Sequence, residues 1–336
     1  MKDMRADEKV TPVPLIWDPT RLGDVLDGTA PQPLTYVALS YTWGSPADTT
    51  LIEVNGEQWV VRKNLEAALR ALREKRLLHQ GCAVWVDALC INQNDLLERR
   101  EEVGRMRSIY KDAKAVAMWL GEEGNDGAQA IWLIRLLSES FRSGTSAQLA
   151  HSLRIGASSI PTGAWKALAD FMERPYWSRV WILQEVAMGD RSTPILCGRH
   201  MLTWGELFDA LYGFTSAHID VVFSCLDRSK RGNPGLRRNH IIQLNFQQQM
   251  QMKLKAPQLL PIIDVARQCL VSDDRDRVYG ILGMMAPEIT KRTMVDYTIS
   301  IARAYRSFAE VVILSRKIYS NHSSCRNLHK YQGKIF

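Results

Sequence analysis

Between residues 36 and 120 the chain alternates short apolar runs with stretches of helical periodicity. Tyr36-Val-Ala-Leu-Ser-Tyr41, Cys82-Ala-Val-Trp-Val86 and Ala115-Val-Ala-Met-Trp-Leu120 are too short for helices and are bounded by polar or glycine positions, so they read as buried strands. The first leaves through Trp43-Gly44 and the third stops at Gly121, where glycine permits a sharp exit. Between them, Leu65, Ala68, Leu69 and Leu72 share one face of a helix that Asn64 would cap and that runs to about Leu78. Asp95 caps a second helix to about Tyr110, with Val103, Met106, Ile109 and Tyr110 as its apolar stripe. Strand, helix, strand, helix, strand at this spacing predicts an α/β fold with a parallel sheet flanked by helices. Leu51–Val54 and Gln58–Val61 flank Asn55-Gly56, a strong signal for a tight hairpin.

Past Gly121 the pattern turns mostly helical. Asp126–Phe141 and Thr162–Met172 are amphipathic, and Val180–Met188 is a short apolar helix. The Gly/Ser/Thr-containing stretch at about 143–161 reads as a mobile connection. Thr193–Cys197 and His200–Leu202 suggest a small hairpin, and Thr203-Trp-Gly-Glu206 is a capping box opening the next helix. Further helices are expected near Ile262–Leu270, Asp276–Met284 and Ser300–Leu314. The predicted organisation has four parts: a loop-rich lead-in over 1–34, an α/β core over 35–200, a helical region over 201–314, and a polar tail over 315–336. The lead-in holds five prolines and at most one short strand near Pro14–Trp17. The helical region carries a basic, then Gln-rich insertion near 224–257.

Composition narrows the function classes. A chain of 336 residues with 46% hydrophobic and 24% charged positions is that of a globular protein with a sizeable core. No apolar run approaches the roughly 18 residues that span a bilayer, and Met1–Lys9 is charged. The expectation is therefore a cytoplasmic protein with no membrane partner. The six cysteines show neither C-x-x-C spacing nor zinc-type Cys/His clustering, so buried free thiols and no metal are expected. The net charge of +7 is a mild excess. Its densest part, Arg228, Lys230, Arg231, Arg237 and Arg238, lacks interleaved aromatics and reads as a solvated loop, so nucleic acid is not expected. Neither G-x-G-x-x-G nor a P-loop is present.

Three segments place polar residues where a fold alone would not. They are Ala38-Leu-Ser-Tyr-Thr-Trp-Gly44; Trp85-Val-Asp-Ala-Leu-Cys-Ile-Asn-Gln93 with Asp95, Glu98, Met106, Ile109-Tyr110 and Trp119-Leu-Gly121; and Trp177-Ser-Arg-Val-Trp-Ile-Leu-Gln-Glu185. Together they closely resemble the fungal heterokaryon incompatibility (HET) domain family. Ser272-Asp-Asp-Arg-Asp-Arg-Val-Tyr-Gly-Ile-Leu-Gly283 and Val295-Asp-Tyr297 resemble the motifs that follow that domain. Glu102 stands where the family commonly has Gln, and Gly280 where it commonly has Ala. The resemblance implies a role in fungal self/non-self recognition and cell death, with protein partners in a signalling assembly and self-association among them.

The family is distantly similar to TIR domains, several of which cleave NAD at the nicotinamide–ribose bond. That likeness implies a TIR-like sheet, no required cofactor, and NAD as substrate. Trp181-x-x-Gln-Glu185 resembles the catalytic-helix element of TIR domains, which makes Glu185 the candidate catalytic carboxylate. The chemistry suits it: glycosidic cleavage develops positive charge on the ribose, and a carboxylate beside it stabilises that charge. Glu185 could equally be an ion-pair partner of Arg179. Asp87 ends a parallel strand, the edge where open α/β sheets bind ligands, and would hold a ribose or cap its own turn. Ser40, Tyr41 and Trp43 end the first strand on the same edge. Trp43 would stack on a ligand ring or serve as core, and Arg179 would hold a pyrophosphate or pair with Glu173 or Glu185. A non-catalytic module that recruits a death effector is the alternative. Asp276 and Arg277 read as a packing motif, with Arg275 or Arg277 fixing the helical region on the α/β part.

Overall fold

Residues 35–78, 82–124, 127–154, 160–216 and 259–320 are described by the computed structural model. The lead-in, the basic and Gln-rich insertion, and the end of the tail fall outside the described residues.

All six residues of β1 (Tyr36–Tyr41) are buried, which is what a central strand covered on both faces requires. β2 (Thr49–Val54) and β3 (Glu57–Arg62) form a separate antiparallel hairpin. Its turn takes Asn55 and Gly56 to φ values of 52° and 87°, the left-handed region that Asn-Gly favours. α1 (Lys63–Glu74) leads to β4 (Ala83–Trp85), the short α2 (Asp87–Cys90), α3 (Leu96–Asp112) and β5 (Ala115–Trp119). α4 (Gly127–Arg142), α5 (Ser146–Arg154), α6 (Thr162–Met172) and α7 (Ile182–Ala187) follow. Next come β6 (Pro194–Cys197), β7 (His200–Thr203) and α8 (Trp204–Ser216). The last described helices are α9 (Leu259–Gln268), α10 (Asp276–Tyr279), α11 (Pro287–Arg292) and α12 (Ile301–Ser320).

The main sheet has the order β4-β1-β5-β6-β7. Its first four strands are parallel, with Val37 opposite Ala115 and Tyr41 opposite Trp119, and β7 closes the edge antiparallel to β6. This is the α/β fold that the alternation predicts. Two-residue alternation sends Val37, Leu39 and Tyr41 into a cluster with Leu65, Leu72 and Trp119 beneath α1. Tyr36 and Ala38 face the other way, with Trp85, Met106, Ile109 and Tyr110 beneath α3. Ser40 shares their parity, which decides its role below.

The largest cluster runs from Met118 to Val312 and joins α4, α6, α7 and α8 to α9, α11 and α12. The helical region therefore shares a core with the sheet. Its packing explains Gly280: a methyl there would lie 3.0 Å from Val180 and 2.9 Å from the Asp276 carbonyl.

Several expectations need correction. Asn64 does not cap α1. The helix starts at Lys63 with Arg62 in the cap position and ends at Glu74, short of Leu78. The Asn64 side chain instead donates to the Thr42 carbonyl and accepts from the Trp119 indole at 2.9 Å, stapling the ends of β1 and β5. The stretch read as a mobile connection contains α5, which buries Ala150 in the main core. α12 continues six residues beyond Leu314, into the segment read as tail. Arg277 and Arg275 do not reach the α/β part. Arg277 donates to the carbonyls of Arg267 and Cys269, and Arg275 to that of Ile299. A backbone tie across the two parts is a parallel bridge: Leu270 N–H donates to the Ser178 carbonyl at 2.6 Å and Val180 N–H to the Leu270 carbonyl at 3.3 Å. Among the described residues, no helix is long and apolar enough to cross a membrane.

Candidate functional site

A cavity of about 740 Å³ opens at the C-terminal ends of β1 and β4, where a parallel sheet presents its connecting loops. Thr42, Trp43 and Gly44 enter it from the turn after β1, and Asp87 and Gln93 from the turn after β4. Arg179, Trp181 and Glu185 come from α7 and the segment before it. The opposite wall belongs to the helical region and consists of Leu270–Asp273, Asp276 and Tyr297.

Glu185 is 3% exposed and borders this space. Its Oε2 accepts a short hydrogen bond from Ser40, and the Ser40 hydroxyl lies 2.7 Å from the Tyr176 hydroxyl. Since Ser40 donates to the carboxylate, Tyr176 donates to Ser40, and the three form a directed relay. Burial raises the Glu185 pKa from 4.5 to about 7, against the opposing pull of Arg179 and of the Ser40 hydrogen bond, with the Asp87 charge pushing in the same direction as burial. Arg179 does not take Glu185 as a contact ion pair. Its guanidinium donates to the Tyr41 carbonyl and acts on the carboxyl through space.

Asp87 is half-buried and accepts from the Trp43 indole at 2.8 Å through Oδ2. Its Oδ1 is shielded from solvent and has no hydrogen-bond partner among the described residues. Burial raises its pKa, against the pull of Arg179. Gln93 donates to the Asp87 carbonyl at 3.1 Å and staples the loop. The Arg62 guanidinium lies 5.1 Å over the Trp43 ring and donates to the Gly44 carbonyl at 2.7 Å, so the Trp43 side of the mouth is held in place.

The structure brings Glu185, Asp87, Trp43 and Arg179 to one cavity. Ser40 and Tyr41 are 0% and 3% exposed and do not line it. Ser40 holds Glu185 from behind. Tyr41 supplies the carbonyl that anchors Arg179, while burial and the nearby Asp87 charge push its phenol well above the usual pKa. Cys90, by contrast, is buried with its thiol pushed up to about 12 by burial, an inert setting.

Sequence reasoning missed the far wall. Asp276 was read as packing, yet it lines the cavity, accepting from the Tyr297 hydroxyl at 2.7 Å and the Trp181 indole at 3.2 Å. Burial raises its pKa, and both hydrogen bonds oppose that. Asp276 and Tyr297 sit inside motifs the sequence displays, and their polar character was the available signal. Arg62 and Arg99 carried none. Arg99 lies in the run Glu98-Arg-Arg-Glu-Glu102, which has the look of a solvated helix face.

Residues 36–185 match the family model described as heterokaryon incompatibility protein (HET). Over these residues the chain is similar to the HET family. Heterokaryon incompatibility protein 6, OR allele, of Neurospora crassa is 26% identical over 338 residues, covering 85% of this chain and 48% of that protein. The chain thus spans about half the length of this curated relative. No solved structure matches the chain. The HET match ends at Glu185, so it takes in Trp43, Asp87 and Arg179 but stops short of the Asp276 wall.

Proposed function

We propose that the cavity cleaves NAD at the nicotinamide–ribose bond and that this activity serves self/non-self recognition and cell-death signalling in a fungal cytoplasm. The recognition role is supported by the match to the HET family model and by the printed name of the Neurospora relative. The observation that carries the chemical reading is the setting of Glu185. It borders a ligand-sized cavity, is held by Ser40 rather than by an arginine, and faces Trp43, Asp87 and Arg179.

The reaction asks little of the protein beyond this. As the C–N bond lengthens, positive charge grows on the ribose and the ionised Glu185 stabilises it; water from the open cavity then bonds to the ribose C1′ and loses its proton to solvent, giving ADP-ribose. Nicotinamide leaves neutral, so no proton donor is required. The ribose hydroxyls have an acceptor in the Asp87 carboxylate, which lines the cavity. The nicotinamide ring stacks at Trp43, and Arg179 meets the pyrophosphate. Arg179 and Glu185 are then complementary in role, one binding the substrate's negative centre and the other its developing positive one. Protein partners, including further copies of the chain, belong to this reading as the means by which recognition switches the activity.

The test is NAD consumption by purified protein at high concentration, wild type beside Glu185→Ala. Loss of NAD in the wild type, reduced at least about a hundredfold in the variant, is expected for a group that acts on the transition state. A folded wild-type protein that consumes no NAD under conditions promoting assembly overturns the hydrolase reading in favour of a recruitment module.

A further inference from the structure

Two arginine–aromatic stacks contribute to the cavity lining, and only the one at Trp43 has been given a task. The other lies on the far wall, where the Arg99 guanidinium sits 3.9 Å over the Tyr297 ring. The carboxylates around it are already engaged. Asp273 takes two hydrogen bonds from Arg275, at 2.9 and 2.8 Å, and Asp276 takes those of Tyr297 and Trp181. No carboxylate pairs with Arg99 among the described residues, although the group borders the cavity and is half-buried there. A guanidinium held flat against a ring, hydrogen-bonded to its phenol but paired with no carboxylate and bordering a cavity, is suited to a phosphate oxygen.

We infer that Arg99 and Tyr297 form a second subsite, at the wall contributed by the helical region, that takes the nucleotide half of the ligand and shares its pyrophosphate with Arg179. The inference rests on the proposed function, since it places the two halves of a dinucleotide at the two stacks. Glu185 then meets the bond between nicotinamide and its ribose near Trp43, while the other nucleotide reaches across to the helical region. A mononucleotide occupies one end and forgoes the other.

The test is calorimetric binding of ADP to wild type, Arg99→Gln and Arg99→Lys, with Arg100→Gln as a control outside the cavity lining, and melting curves to show that each variant is folded. ADP binding is expected to weaken about tenfold or more in Arg99→Gln, partly recover in Arg99→Lys, and stay unchanged in Arg100→Gln. For NAD turnover, Arg99→Gln is expected to raise KM more than it lowers kcat. ADP binding that ignores Arg99, or wild-type protein that binds no ADP, overturns the subsite. ADP binding that depends on Arg99 in a protein that consumes no NAD keeps the subsite and removes only the hydrolase reading. A free nucleotide is then the ligand.

Discussion

A carboxylic acid 3% exposed is costly to ionise, and Glu185 bears that cost with only Ser40 and the field of Arg179 to offset it. Because its pKa is raised, the folded protein holds the Glu185 proton more tightly than the unfolded chain does. The stabilising contribution is complete below about pH 4.5 and is lost as pH rises through about 7. Its full size is about 3 kcal/mol. Glu185→Gln keeps an acceptor for Ser40 and removes the charge. Relative to wild type it should melt higher at about pH 8 than at about pH 5, and an equal effect at both values would contradict the buried-carboxyl assignment. The same ionisation sets the active form, so NAD turnover should rise with pH through about 7.

At the scale of elements, local signals and tertiary demands can be told apart residue by residue. The Asn55-Gly56 turn and the Thr203–Glu206 capping box were legible because both are complete within four residues. In the latter, Glu206 N–H donates to Thr203 Oγ1 at 3.2 Å and Thr203 N–H to Glu206 Oε2 at 2.6 Å. Thr203→Ala should lower stability by about 1 kcal/mol in urea titration with the slope unchanged. A larger loss would show that α8 depends on more than its cap. Asn64 was misread because its cap signal is equally local, while the competing partners lie at Thr42 and Trp119, 22 and 55 positions away. The same reasoning covers the site. Asp87 was legible from its place at the end of a parallel strand. The role of Ser40 behind Glu185 depends on Tyr176 and Glu185, 136 and 145 positions distant, which no local pattern reports.

At the scale of the molecule, the sheet and the helical region meet through a shared core, one parallel bridge at Leu270, and the indole of Trp181. Trp181 leads into the helix that carries Glu185, and its N–H holds Asp276 on the opposite wall. Trp181→Phe retains most of the ring and removes that hydrogen bond, leaving a buried carboxylate with one partner fewer. Stability should fall by about 1–3 kcal/mol in denaturant titration, with the change concentrated in protection of the α10 amides from hydrogen exchange. Uniform loss of protection would show that the indole serves the core alone. The change of hydrophobic period was readable, and it predicts an α/β part followed by a helical region. Their joint ownership of the cavity was not, because it depends on how 270–297 docks.

The family match ends at Glu185, the residue on which the proposed chemistry turns, while the cavity wall from the helical region begins some eighty-five positions later. The segment that the family model describes is therefore smaller than the unit that lines the cavity. A recombination event exchanging only residues 36–185 would deliver a carboxylate without the wall that faces it. Such hybrids would inherit the fold of one parent and the ligand preference of neither, a physical reason for the two segments to travel together.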